Sequence, residues 1–430
     1  MFSKNDLIRL IDNEQEQHIT FLQSLIRTPS SNPPGDTRNA TKVVQRYLEQ
    51  YGIKTDIIAP KPEAPNLVSF LHNPAGAAGP QRRLVLNGHI DHLPVNDSDQ
   101  WHRPPYSGDI SNGFLHGRGA VDMKAGTAAS IIAFTYLHRF RSALSQIGTC
   151  CALEVVSDEE TGGKFGTRYL LEQDGRHELW KGDCVLNAEP GGLQSIRFGE
   201  KGTLRITFTV RTRGGHGAYL HREEGAVRIA SRLIDRLVGL ETLRGEGMDG
   251  ELRRYLQRAD VRRVADGIMG EGAADSMVKP TVNVGTIQGG VKVNMIPASC
   301  VFEVDIRLPI GLTAATVLAK IGELIVDVPE ASYMVQQAAT NPAAASSVDH
   351  ELVRLLQMNA ADVRGCKPLP IPSLGATDCK HFRYHDVPAY SYGPSPATQA
   401  ERDERVSVQD FLDTVKVHTL VAWDYLAGPG

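Results

Sequence analysis

Apolar residues first recur along this chain at helical spacing. Leu7, Ile11, Phe21, Leu22 and Leu25 predict a helix over 4–27, ended by the three prolines of Thr28–Gly35. Thr37–Tyr51 predicts a second helix, closed by Gly52. Short, mostly apolar runs follow, and they read as buried strands around 66–71, 83–86, 149–156 and 184–186. A loop rich in Gly, Ala and Pro spans Asn73–Pro80, and a small-residue helix is predicted over 123–140. Strands alternating with helices imply an α/β fold with a mostly parallel sheet flanked by helices.

Near residue 199 the pattern changes. Leu204, Ile206, Phe208 and Val210 alternate with polar residues, the period-two signature of a half-buried strand over 203–211. A helix at 223–240, strands at 278–286 and 300–308, a helix at 313–326 and a strand at 333–338 complete the series. The order strand, helix, strand, strand, helix, strand is the split βαβ, ferredoxin-like pattern. Residues 198–340 are therefore expected to form an inserted α+β domain, with 1–197 and 341–430 forming the main one. The charged, glycine-dotted stretch 241–276 reads as an insertion within it. Helices at 349–363 and 408–426 return the chain to the first domain.

Composition narrows the function classes. The 430 residues, 41% hydrophobic and 22% charged, suit a soluble enzyme of about two domains. A net charge of −4 with no basic stripe argues against nucleic acid as a partner. The start, MFSKNDLIRL, lacks the apolar core of a signal peptide, and no apolar run reaches membrane-spanning length. Six cysteines without C-x-x-C spacing read as free thiols in a reducing compartment, so a cytoplasmic location and no membrane partner are expected.

The chemistry sits where the strands end, the usual place for a ligand crevice in an open α/β sheet. His89 and Asp91, two apart, point the same way from an extended backbone, and a carboxylate beside a ligating imidazole fixes its tautomer. Asp122 stands just before the small-residue helix, where an N-cap is the ordinary alternative. Asp158-Glu159-Glu160 follows the strand 149–156. Adjacent like charges repel unless solvated or neutralised, and a metal-binding carboxylate beside a general base would explain them. Glu189 follows the strand 184–186. One imidazole and several carboxylates make a donor set for a zinc-type site.

The ordered motifs GHIDHLPV, W-x-x-x-P-Y (Trp101 to Tyr106), GRGAVDMKAG, SDEETGG and NAEP resemble the zinc-dependent aminoacylase, carboxypeptidase G, acetylornithine deacetylase and succinyl-diaminopimelate desuccinylase family. The resemblance implies a zinc-peptidase-type main domain and an inserted domain serving as lid and dimerisation surface. It implies His89, Asp122, Glu160 and Glu189 as metal ligands, with Asp122 bridging two ions, Asp91 orienting His89 and Glu159 as general base. It makes His216, in Gly214–Tyr219, the residue that crosses a homodimer to the oxyanion. Tyr219, Asn294, Arg307 and Thr377 become candidate contacts for a small N-acyl amino acid or peptide. The implied cofactor is Zn2+, one or two ions, with Co2+ or Mn2+ as substitutes. The implied reaction is hydrolysis of an amide next to a carboxylate.

One position departs from the family pattern. A histidine is expected four residues before a glutamate, after a Gly-Pro turn. Glu404 matches the glutamate, but the histidine position holds Ala400, and no histidine lies between His385 and His418. His381 and His385 are the nearest substitutes in sequence. Ala400 keeps two alternatives open: altered, non-hydrolytic chemistry on the same scaffold, or a metal-binding protein of little catalytic power.

Overall fold

The computed structural model describes residues 4–73, 82–96, 100–144 and 149–427, so most of the predicted loop at 73–80 lies outside the described residues. The main sheet runs Asp56–Ile58, Asn66–Asn73, Thr149–Val156, Arg82–His89, Cys184–Asn187, Ala389–Ser391, Ser195–Glu200, Ala344–Ala345, with Leu369–Ser373 beside Ser195–Glu200. Its centre is parallel: Arg82–His89 lies between Thr149–Val156 and Cys184–Asn187, and Ala389–Ser391 extends the block. The two outermost strands on one side are antiparallel additions. The helices Ala125–Arg139 and Val408–Ala427 are buried along most of their length, and with Glu351–Arg364 they share one apolar cluster with the sheet. The opposite face buries Trp180, Leu170, Phe382 and Val387.

The smaller sheet runs Thr281–Gly289, Ser299–Leu308, Gly202–Arg211, Ala331–Val335, antiparallel throughout. Helices Ala226–Val238 and Ala314–Ile325 cover one face, with a separate core in which Phe208 and Phe302 stack at 4.9 Å. This is the strand order of the ferredoxin-like pattern. The segment 241–276 forms helices Gly250–Leu256, Ala259–Met269 and Ala273–Ser276, and its Leu256, Val261, Ala265 and Ala274 join the core of the main sheet.

The predicted helix over 4–27 is two helices, Lys4–Asn13 and Gln15–Ile26. Glu14 leaves helical geometry (φ −102°, ψ 10°), and its carboxylate is held by Arg139 and Tyr136 at 2.6–3.0 Å. A tertiary ion pair thus sets a break that apolar periodicity does not show. The small-residue helix begins at Ala125, because 120–124 form a separate tight turn that carries Asp122.

Candidate metal centre and its cleft

Three adjacent parallel strands deliver their ends to one place. His89 is the last residue of the central strand, Glu159 and Glu160 follow the strand on one side, and Glu189 follows the strand on the other. Asp122 comes from the turn entering helix Ala125–Arg139, not from a strand end. It caps nothing: no side-chain cap bond forms there, and its Oδ2 instead accepts from Gln399 Nε2 at 2.7 Å.

His89 Nε2 lies 3.2 Å from Asp122 Oδ1 and 3.3 Å from Glu189 Oε1, yet it makes no hydrogen bond. One donor atom from each of His89, Asp122 and Glu189 falls within 4.8 Å of the others. The three converge on a common point instead of pairing with one another. A buried polar nitrogen without a partner is costly, and a divalent cation would satisfy it. Burial disfavours charge on His89, but Asp122, Asp91 and Glu189 raise its pKa well above the ordinary value. Burial, and then the charge of Asp122, push Glu189 up to about 7 and Glu160 to about 9. Crowded acids that resist ionising together are what a cation would relieve, so the residues present fit such an ion.

The supporting contacts are dense. His89 Nδ1 bonds the backbone carbonyl of Asp91 at 2.9 Å, with the Asp91 carboxylate further off at 3.4 Å. That carboxylate mainly holds the next loop, accepting from the backbone N–H groups of Glu159 (3.3 Å) and Glu160 (3.1 Å) and from Asn32 (2.9 Å). Asp158 adopts a left-handed backbone (φ 78°) and accepts from Phe165 N at 2.9 Å, turning the chain so that both glutamates face the cleft. Glu404, fully buried, accepts from the backbone N–H groups of Gly119, Val121 and Asp122 and from Arg118, at 2.7–3.2 Å, so it fixes the turn bearing Asp122.

Glu159, Glu160, Asp122 and Glu189 line a cleft of about 750 Å³ with Arg307, Thr377, Gln399 and Ala400. Burial raises the pKa of Glu159 well above the ordinary carboxylate value, while the charges of His89 and Lys380 oppose it. Arg307 is forked onto Asp305 at 2.8 and 3.2 Å, and the Thr377 hydroxyl donates to Glu200 at 2.9 Å. His216, Tyr219 and Asn294 do not line this cleft. They cluster on the smaller domain, where His216 stands 5.8 Å from the Tyr219 ring and Gly217 N bonds Asn294 O. Neither His381 nor His385 lines the cleft, and His418 is a core residue bonded to the Tyr392 carbonyl at 2.7 Å.

Sequence reasoning missed Asn32, Gln399 and above all Arg197. This guanidinium is 5% exposed, lines the cleft and has no acidic partner among the described residues. It donates to the carbonyls of Gly191 and Pro372 and touches Met269 Sδ at 3.0 Å, and burial lowers its pKa to about 10. An arginine in the short strand Ser195–Glu200 carries no signal of this, because the approach of Met269 is a tertiary event.

An α/β sheet whose strand ends gather an imidazole and carboxylates in a cleft beside a glutamate pair defines a metallohydrolase-type site. The chain belongs to peptidase family M20/M25/M40, whose model matches residues 85–424, and it is a metallo-amidohydrolase acting on C–N amide bonds. It is 27% identical over 420 residues to a succinyl-diaminopimelate desuccinylase of Cereibacter sphaeroides, covering 95% of this chain and 99% of the relative. It is 29% identical over 405 residues to the enzyme of the same name from Methylorubrum extorquens, covering 91% and 94%. Among solved structures, an M20 family metallo-carboxypeptidase from Sulfolobus solfataricus superposes with TM-score 0.76 at 20% identity, over 95% of this chain and 99% of that one. A dinuclear metal-binding M20 peptidase from Bacillus subtilis gives 0.61 at 14% identity, over 96% and 99%. No described helix is long and apolar enough to cross a membrane.

Proposed function

We propose that the protein hydrolyses an N-acyl amino acid or dipeptide-like amide next to a carboxylate, with a divalent ion held by His89, Asp122 and Glu189. The observation that carries this reading is the convergence of those three donors, two of which, Asp122 and Glu189, line the cleft that also holds Glu159. Nitrogen and carboxylate donors suit Zn2+, with Co2+ or Mn2+ as substitutes. When bound, such an ion polarises a carbonyl and acidifies water. Glu159 takes the proton from the attacking water and returns it to the leaving amine. Asp91 keeps Glu159 in place through the backbone bonds described above.

The substrate's carboxylate is assigned to Arg307, which lines the cleft and whose Nε and Nη2 already face Asp305, so that the contact is made through Nη1. Arg197 adds a second cationic position, which favours an acyl group that is itself anionic, as in the desuccinylase names of the relatives. Thr377 borders the same space. Residues 198–340 are read as a lid set on the main unit of 1–197 and 341–430. His216, Tyr219 and Asn294 are assigned to the cleft of a second copy, where His216 stabilises the oxyanion. Strong exposure of Val291 (93%) and Val293 (101%) near this cluster supports a covered face. The six free cysteines fit a reducing, cytoplasmic setting.

The test is an assay of N-succinyl and N-acetyl amino acids and dipeptides with added Zn2+ or Co2+. Glu159→Gln is expected to lose about 10²–10⁴-fold in kcat. Turnover that survives metal removal, or full activity in that variant, would reject the reading.

A further inference from the structure

The second oxygen of Asp122 is already taken. Its Oδ1 faces His89 Nε2 at 3.2 Å, whereas its Oδ2 accepts the Gln399 amide at 2.7 Å. A carboxylate that bridges two cations must give one oxygen to each. Here the side turned away from His89 meets a neutral N–H donor, which a neighbouring cation would repel. Ala400, next in the chain, lines the same cleft in a left-handed conformation (φ 61°), and its methyl group cannot coordinate. Among the described residues no histidine lines the cleft. Glu160 stays outside the compact donor cluster, which among the described residues is His89, Asp122 and Glu189, although its own buried Oε1 has no hydrogen-bond partner.

We infer that this chain holds one metal ion, and that Gln399 occupies the place of a second by hydrogen bonding Asp122 Oδ2. Gln399 is a positioning residue: its bond to Oδ2 keeps Asp122 turned so that Oδ1 faces His89 Nε2, where it would serve as a donor to an ion. A lone bridging-type aspartate would otherwise be free to rotate its second oxygen toward the cleft. The consequence is a site with three protein donors and an open position, the composition of a mononuclear catalytic zinc centre. This inference rests on the hydrolase reading above, and it separates this chain from the dinuclear relative of known structure.

The experiment is metal counting. Metal-free protein is dialysed against Zn2+ and, separately, Co2+. Bound metal is measured by mass spectrometry, and the Co2+ protein by electron paramagnetic resonance. One equivalent per chain is expected, with an uncoupled signal from the protein-bound cobalt that is unchanged after a second equivalent is added and the unbound ion is dialysed away. The paired variant Gln399→Ala with Ala400→His is expected to take up a second equivalent and to show spin coupling. Two tight equivalents in the unaltered chain would overturn the inference and leave the hydrolase reading intact. A paired variant that still binds one would overturn the role given to these two positions. Failure to bind any ion tightly would overturn the hydrolase reading itself.

Discussion

The residues proposed as metal donors are held by side chains whose own work is to bond backbone. Glu404 receives four donors around Asp122, and Asp91 receives two N–H groups from the Glu159–Glu160 turn. Burial raises the pKa of Glu404, opposed only in part by the backbone N–H groups of Val121, Gly119 and Asp122, and Arg118 pairs with it at 2.9 Å. Glu404→Ala strands those donors in a dry interior and is expected to cost about 3–5 kcal/mol, the cost of breaking a buried charged pair. Urea denaturation should show it, and metal affinity should fall with it because Asp122 loses its frame. The conservative Glu404→Gln keeps an acceptor oxygen and should lose less on both measures. At this scale the sequence was informative wherever a residue type names its chemistry. His89, Asp122, Glu159 and Glu189 stood out as ligand and base types next to predicted element ends. Arg197 and Asn32 did not, because their significance lies in which distant atoms reach them.

At the scale of elements, the site exists because three parallel strands stop within two residues of one another and a helix packs tightly beneath them. That packing requires glycine at one point: a Cβ on Gly126 would stand 2.1 Å from the Ala188 carbonyl oxygen, next to Glu189. Gly126→Ala must push helix Ala125–Arg139 away from the end of strand Cys184–Asn187. Overpacking of this kind costs about 1–3 kcal/mol. The expected readout is a lower thermal midpoint together with weaker metal binding, since Glu189 moves with Ala188. A change in stability alone would show that the strand end yields without carrying its carboxylate along. Strands and most helices were legible from periodicity, which reports which faces are buried. The break at Glu14 was not, since it depends on Arg139 and Tyr136 from another helix.

For the whole molecule, the cleft of one chain contains the general-base candidate but not the cluster of His216, Tyr219 and Asn294. If a second copy supplies that cluster, activity must depend on assembly. Val291→Asp with Val293→Asp is expected to shift the protein toward monomer in light scattering and to lower kcat. His216→Ala should lower kcat by about 10²–10³-fold, the usual cost of one oxyanion donor, while leaving assembly unchanged. Mixing His216→Ala with Glu159→Gln chains should restore part of the activity, because a mixed dimer holds one intact site. No recovery on mixing would place His216 outside the partner's cleft.

The sequence by itself determined the α/β class, the ferredoxin-like pattern and the family, because periodicity, strand order and the spaced acidic motifs are properties of the chain read in line. It also marked Ala400 as a departure. Only the tertiary structure decided what that departure means locally. The Gln399 amide reaches Asp122 across 277 residues of chain, and Met269 from 241–276 closes over Arg197. Such contacts depend on how separate elements pack, and no local pattern of side chains encodes them.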